Sequence, residues 1–210
     1  MKNVNVINHP LAQQKLARLR DCATDQADFR RLLGDVALFL AYEATRDLAT
    51  KPTVVETPLA QCKGRALKHK ILLVPILRAG LGMLDAALRI IPEAQTGFIG
   101  LKRDESTLEP ISYYSNVPDD LRSFDVILMD PMLATGGSAA AAISELKNNG
   151  AKHIRFACLV AAPEGLQTMN NAHPDVSIYY PALDNRLNEQ GYILPGLGDA
   201  GDRIFGTVNP

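Results

Sequence analysis

The run Val126-Ile127-Leu128-Met129 stops on a carboxylate, Asp130, crosses a loop ending in Ala134-Thr135-Gly136-Gly137-Ser138 and enters an alanine-rich stretch. An apolar run this short, with no polar alternation, reads as a strand covered on both faces. A strand that feeds a helix through a tight loop returns as a parallel strand. The same grammar recurs along the chain. Ile71 to Leu77 leads through Arg78-Ala79-Gly80 into a helical stretch ending at Leu88. Further strands are expected at Thr96 to Leu101, Ile154 to Ala161 and Val176 to Tyr180, and helices at Ser138 to Asn149 and Pro163 to Asn171. Gly150 falls where a helix C′ glycine belongs. The pattern predicts an α/β fold, a central and mainly parallel sheet flanked by helices, in one domain over residues 1–210.

Two helices are predicted ahead of this core, His9-Pro10 to Arg20 and Asp25 to Leu48. Phe29, Leu32, Leu33, Val36, Phe39 and Leu40 fall on one face of the second, as for a helix covering a sheet or pairing subunits. Lys102 to Arg122 breaks the rhythm, with Pro110, Pro118 and Tyr113-Tyr114. It reads as a hairpin arm, the kind of segment that covers an active site, or else as a plain surface insertion. Lys51 to His69 carries no readable signal.

Composition narrows the function classes. The net charge of -1 offers no global basic excess for nucleic acid. Cys22, Cys62 and Cys158 are widely spaced and odd in number, which indicates neither a zinc knuckle nor a disulfide framework. No apolar stretch approaches the roughly 20 residues that span a bilayer. Met1 to Pro10 lacks the apolar core of a signal peptide. A soluble, cytoplasmic protein is expected, with no nucleic-acid or membrane partner.

The loop after Asp130 has the chemistry of a phosphate site. In parallel sheets, ligands bind beyond the carboxyl ends of the strands. Gly136 and Gly137 lack Cβ atoms, so their N–H groups can approach an anion. Thr135 and Ser138 add hydroxyl donors, and the helix start adds free N–H groups and a positive dipole end. Asp130 would be repelled by the phosphate itself; it suits sugar hydroxyls or the water shell of a metal. No GK[ST] follows, so this is not a Walker A loop.

Asp130 to Ser138, DPMLATGGS, resembles the phosphoribosyl pyrophosphate (PRPP) signature of type I phosphoribosyltransferases, in the form that acts on uracil. Pro131 stands where most of that family has a second acid. The resemblance extends through Tyr42 to Thr45, Val74 to Met83, Val160 to Gly165, Leu187 to Arg203 and Ile204 to Thr207. It implies that fold, with a flexible arm over 102–122 and a C-terminal hood for the base over 184–210. It implies the conversion of uracil and PRPP into UMP and pyrophosphate, in pyrimidine salvage. PRPP would be bound by Arg78, Arg103, Asp130, Pro131, Met132, Leu133, Ala134, Thr135, Gly136, Gly137, Ser138 and Asp199. Uracil would be read by Ile193, Gly198, Asp199 and Ala200, largely through the main chain. Asp199 would meet Mg²⁺ carried by PRPP, directly or through water, with Asp202 a second carboxylate nearby. A non-proline cis bond near Leu77-Arg78, a homodimer or larger homo-oligomer, and GTP as an effector are further implications.

The residues make chemical sense of those roles. Guanidinium clamps phosphate oxygens in pairs. The stretch Gly191 to Arg203 is glycine-rich yet holds Tyr192, Ile193, Leu194 and Leu197, which suits a pocket wall. His9, His69, His153 and His173 are scattered, so no general base for uracil N1–H is evident. Two rivals are weaker. Orotate would need a cation between Ile193 and Ala200, where none stands. An RNA-binding regulator would need a basic face.

Overall fold

The computed structural model describes residues 3–103 and 110–207, with Arg103 described by its backbone alone. Its main sheet has eight strands. The spatial order is Val4–Val6, Ser177–Tyr180, His153–Ala157, Phe124–Met129, Lys70–Leu77, Phe98–Arg103 and Pro110–Asn116, with Gln95–Thr96 also paired to Lys70–Leu77. All pairings are parallel except the last, between Phe98–Arg103 and Pro110–Asn116. Every residue of Phe124–Met129 is buried, as expected of a strand covered on both sides.

Among the described residues six helices do the covering: α1 (Pro10–Arg20), α2 (Gln26–Ala44), α3 (Leu81–Ile90), α4 (Gly137–Asn148), α5 (Pro163–Ala172) and α6 (Ala200–Phe205). The period-2 pleat sorts the central strands between two cores. Leu73 and Ile127 face Leu16, Phe29, Leu33, Val36 and Met83 of α1 to α3. Leu72, Val74, Val126 and Leu128 face Ile143, Leu146 and Met169 of α4 and α5. Burying such side chains is worth roughly 1.5–3 kcal/mol each, which fixes the register of the central strands.

Local chemistry sets the helix limits. His9 caps α1, its Nδ1 accepting from Leu11 N at 3.2 Å. Asp25 caps α2, accepting from Asp28 N at 2.8 Å. That helix stops at Ala44, short of the expected Leu48, where the Thr45 hydroxyl donates back to Ala41 O at 2.8 Å. Gly150, at φ +90°, closes α4: its N–H reaches Lys147 O and that of Ala151 reaches Leu146 O.

Four features depart from the sequence reading. Val4–Val6 forms an edge strand that was not expected. Thr50–Glu56 and Gln61–Leu67 form an antiparallel ribbon. The strand expected over Ile154 to Ala161 divides: His153–Ala157 stays in the main sheet, and Val160–Ala161 joins Met132–Leu133 and Ala182–Leu183 in a small parallel sheet. Helix α6 occupies a stretch that had little helical signal. Within the segment read as an arm, Pro110–Asn116 pairs back on Phe98–Arg103.

Candidate active site

From Lys70–Leu77 the chain moves outward to Phe98–Arg103, then returns to Phe124–Met129 on the opposite side. The strand order therefore reverses between Lys70–Leu77 and Phe124–Met129. A crevice opens at such a point, beyond the carboxyl ends of the strands. Here it is a cavity of about 180 Å³. Ala79 lies just past one strand and Asp130 just past the other, and both line it. The loop Met132 to Gly136, with Ser138 and Ala139, forms a second wall; Asp199, Ala200 and Gly201 form a third.

The loop geometry follows from its glycines. Gly136 sits at φ +83°, a left-handed conformation that side chains resist. A Cβ there would lie 2.8 Å from Thr168 Cβ and 2.9 Å from Gly165 O. Gly136 is also the N-cap of α4, and no side chain caps that helix. The Gly137 N–H makes only a long contact, 3.5 Å, to Thr135 Oγ1, so the first turn can still present its N–H groups to a ligand, and the dipole adds to their pull on an anion. Pro131 anchors the loop from below: its carbonyl accepts from Leu159 N at 2.9 Å and Val160 N at 3.2 Å. A Cβ on Gly137 would stand 3.5 Å from Pro110 Cδ, so the root of the arm lies beside this loop.

Asp130 is part-buried, and burial pushes its carboxyl up to about 7. The Met132 N–H opposes this rise, and the nearby Asp199 carboxylate adds to it. Asp199 caps α6 by accepting from Asp202 N at 2.9 Å. Asp202 in turn stands 3.8 Å from Arg78 Nη2. The peptide Leu77–Arg78 is cis, as the resemblance implies. Arg78 is well exposed at the cavity mouth, and its guanidinium lies 4.0 Å from where a Cβ on Gly201 would stand. Gly80 makes the turn behind it possible: a Cβ there would lie 2.5 Å from Met129 O.

Most of the expected site residues thus converge. Asp130, Met132, Leu133, Ala134, Thr135, Gly136, Ser138, Asp199 and Ala200 line one cavity, and Arg78 stands at its mouth. Ile193 is buried in the core, and Pro131, Gly137 and Gly198 lie outside the lining. Gly198, at φ +76°, adjoins Asp199; among the described residues neither its N–H nor its C=O has a partner. The side chain of Arg103 lies outside the described residues. Ala79, Ala139 and Gly201 line the cavity without having been singled out, because their side chains carry no chemistry to read. The four histidines take other work. His9 caps a helix; His69 pairs with Asp125 at 3.2 Å and stacks on His153; buried His173 reaches Ala140 O at 3.0 Å.

The family model for uracil phosphoribosyltransferase matches residues 6–207. This chain belongs to the uracil phosphoribosyltransferase family. It is therefore a pentosyltransferase. It is 55% identical over 205 residues to the uracil phosphoribosyltransferase of Dictyoglomus turgidum, covering 97% of this chain and 99% of that one. It is 53% identical over 208 residues to that of Geobacillus kaustophilus, covering 99% and 100%. The solved AQ2163 protein from Aquifex aeolicus superposes with a TM-score of 0.93 at 38% identity, over 99% of this chain and 100% of that one. An adenine phosphoribosyl transferase from Trypanosoma brucei shares the fold, at a TM-score of 0.57 and 12% identity over 87% and 84% of the two chains.

Proposed function

We propose that this cavity joins uracil to the ribose-5-phosphate of PRPP, releasing pyrophosphate and UMP. One observation carries the reading. Asp130 and the small-residue loop share a single cavity with Asp199 to Gly201 of the C-terminal segment. The loop Ala134 to Ser138 holds the 5′-phosphate through N–H and hydroxyl donors, which fixes the geometry of attack. Asp130 accepts from the ribose hydroxyls. Arg78 meets the diphosphate, whose charge grows as the C1–O bond breaks. Arg103, at the arm's root, is positioned in sequence to do the same. Main-chain groups from Gly198 to Ala200, with Ile193 behind them, meet the base edge. A base of the wrong pattern leaves buried polar groups unpaired, at about 1–3 kcal/mol each.

Mg²⁺ fits this donor set as a companion of the substrate. Asp199 and Asp130 are close enough for one charge to disfavour the other. Among the described residues no group of three or more acidic, His or Cys side chains could hold a metal alone. Mg²⁺ is usually held by one or two carboxylates together with substrate phosphates and water. Bound with the diphosphate, it would supply positive charge to the departing oxygens.

The surface supports a homo-oligomer. An apolar groove of about 570 Å³ runs past Ile7, Leu38, Phe39, Tyr42 and Ile90. Val54, Val55 and Leu59 are exposed on the Thr50–Leu67 ribbon. A lone two-stranded ribbon is marginal in water, so a second copy of this chain is the occupant we assign to the groove. Sedimentation of the purified chain tests it: a monomer at micromolar concentration refutes it. GTP as an effector rests on the family resemblance, and rates measured with and without GTP test it.

The deciding experiment is pyrophosphate-coupled UMP formation with uracil, orotate and hypoxanthine in turn. Turnover of uracil alone is expected; preference for either other base overturns the reading. Arg103→Ala is expected to raise the KM for PRPP much more than that for uracil.

A further inference from the structure

The base-reading turn is held by a side-chain pair that takes no part in the chemistry. Asp184 is buried, and its Oδ2 accepts from Gly196 N at 2.8 Å and from Arg20 Nη1 at 2.7 Å. Arg20 Nη2 donates to Asp184 Oδ1 at 2.6 Å, and Nη1 also donates to Gly196 O at 2.7 Å. Both polar groups of Gly196 are thereby fixed by one bidentate ion pair. Gly196 lies at φ +63°, two residues before Gly198, whose own N–H and C=O are free among the described residues. The other end of the pair is tied to the phosphate side. Asp184 directly follows Ala182–Leu183, which pairs with Val160–Ala161, which pairs with Met132–Leu133. Asp184 N also donates to Ala161 O at 2.8 Å. The small sheet, the ion pair and the Gly196 turn form one rigid connection between the two ends of the cavity.

Resting on the assignment of uracil to this cavity, we propose that Arg20 and Asp184 are positioning residues that set the distance from base site to phosphate loop. A pair that is mere packing would, when weakened, lower stability and leave the ratio of the two KM values unchanged. A positioning pair shifts the uracil side alone. Lysine has a single ammonium in place of the fork and cannot make both Asp184 bonds and the Gly196 carbonyl bond in this geometry. Displacements on the order of 1 Å at a reacting group cost up to about 100-fold.

The experiment compares Arg20→Lys and Asp184→Asn with a control, Leu16→Ala. Leu16 lies on the same helix, is 2% exposed and makes no hydrogen bond to the ion pair or to Gly196 among the described residues. The two test variants are expected to raise the KM for uracil about tenfold or more, with the KM for PRPP within about twofold of the parent. The control is expected to lower Tm with both KM values unchanged. Amide hydrogen exchange supplies a second readout, independent of turnover. Exchange at Gly196 should quicken in the test variants while that of Thr135 to Ser138 does not. Equal changes in both KM values, or unchanged exchange at Gly196, overturns the positioning role. Failure of the parent to use uracil overturns the assigned reaction instead, and the exchange result then still decides whether the clamp exists.

Discussion

Asp130→Asn should stabilise the ligand-free protein while disabling it, and the gain should depend on pH in a defined sense. The folded carboxyl titrates near 7, against 3.8 for an ordinary aspartate. Below about pH 4 it is protonated in both the folded and the unfolded chain, and contributes nothing. As pH rises from about 4 to about 7, the unfolded chain releases its proton first, and stability falls. Above about 7 the loss is complete. At 1.36 kcal/mol per unit the raised value corresponds to about 4 kcal/mol, an upper figure because solvent reaches part of the side chain. For a chain of this length that is a Tm difference of up to roughly 8–16 °C. Asparagine keeps an oxygen for the Met132 N–H but has no proton to release. Thermal unfolding of parent and variant across pH 4 to 8 is the assay. Carboxylates held low, such as Asp28 beside Arg31 and Asp120 beside Arg122, favour folding in the opposite sense. They are common to both proteins and cancel in the difference. The Tm gap should open from near zero at pH 4 to several degrees at pH 8. A gap that stays constant across that range would falsify the claim that Asp130 is held in a desolvated site. In the coupled assay the same variant should lose about 10- to 100-fold in kcat/KM for PRPP, the worth of a charged hydrogen bond.

Gly136→Ala combines a left-handed φ with a 2.8 Å collision at Thr168 Cβ, so PRPP affinity should fall at least about tenfold; retained affinity by calorimetry refutes the loop assignment. Arg78→Ala removes an exposed guanidinium, so stability should change by no more than about 0.5 kcal/mol while the KM for PRPP rises; a selective rise in the uracil KM contradicts its role. Chelation by EDTA should stop UMP formation yet leave Tm unchanged without substrate, because no described cluster holds a metal by itself; a drop in Tm would reveal a resident ion.

The central architecture was readable because burial on two faces leaves a plain mark. Ile71 to Leu77 and Val126 to Met129 are unbroken apolar runs, and each ends where a ligand loop begins. Asp130 and the TGGS turn were readable for a related reason: the tight turn from strand to helix needs small residues, and Gly136 lies at φ +83°. The missed elements lack these constraints. Val4–Val6 is a short edge strand with Val6 mostly exposed, so no alternation marks it. The Thr50–Leu67 ribbon is mostly exposed and carries Pro52 and Gly64, both unfavourable inside strands. The division after Ala157 is invisible because Phe156 to Ala161 is apolar throughout, and periodicity cannot report a change of sheet. The Arg20–Asp184 pair joins residues 164 positions apart, and neither sits in a recognisable motif. The raised pKa of Asp130 depends on Asp199 and on burial, both products of the folded chain.

The edge pairing of Val4 with Ile178 bears on how the molecule is made. Val4–Val6 has no partner in the sheet until Ser177–Tyr180, more than 170 residues later, has been synthesised. Ordering such distant segments is entropically slow, and sheets with parallel pairing form later than local helices. That edge of the sheet is therefore completed late, after the local helices and the central strands have had the chance to form.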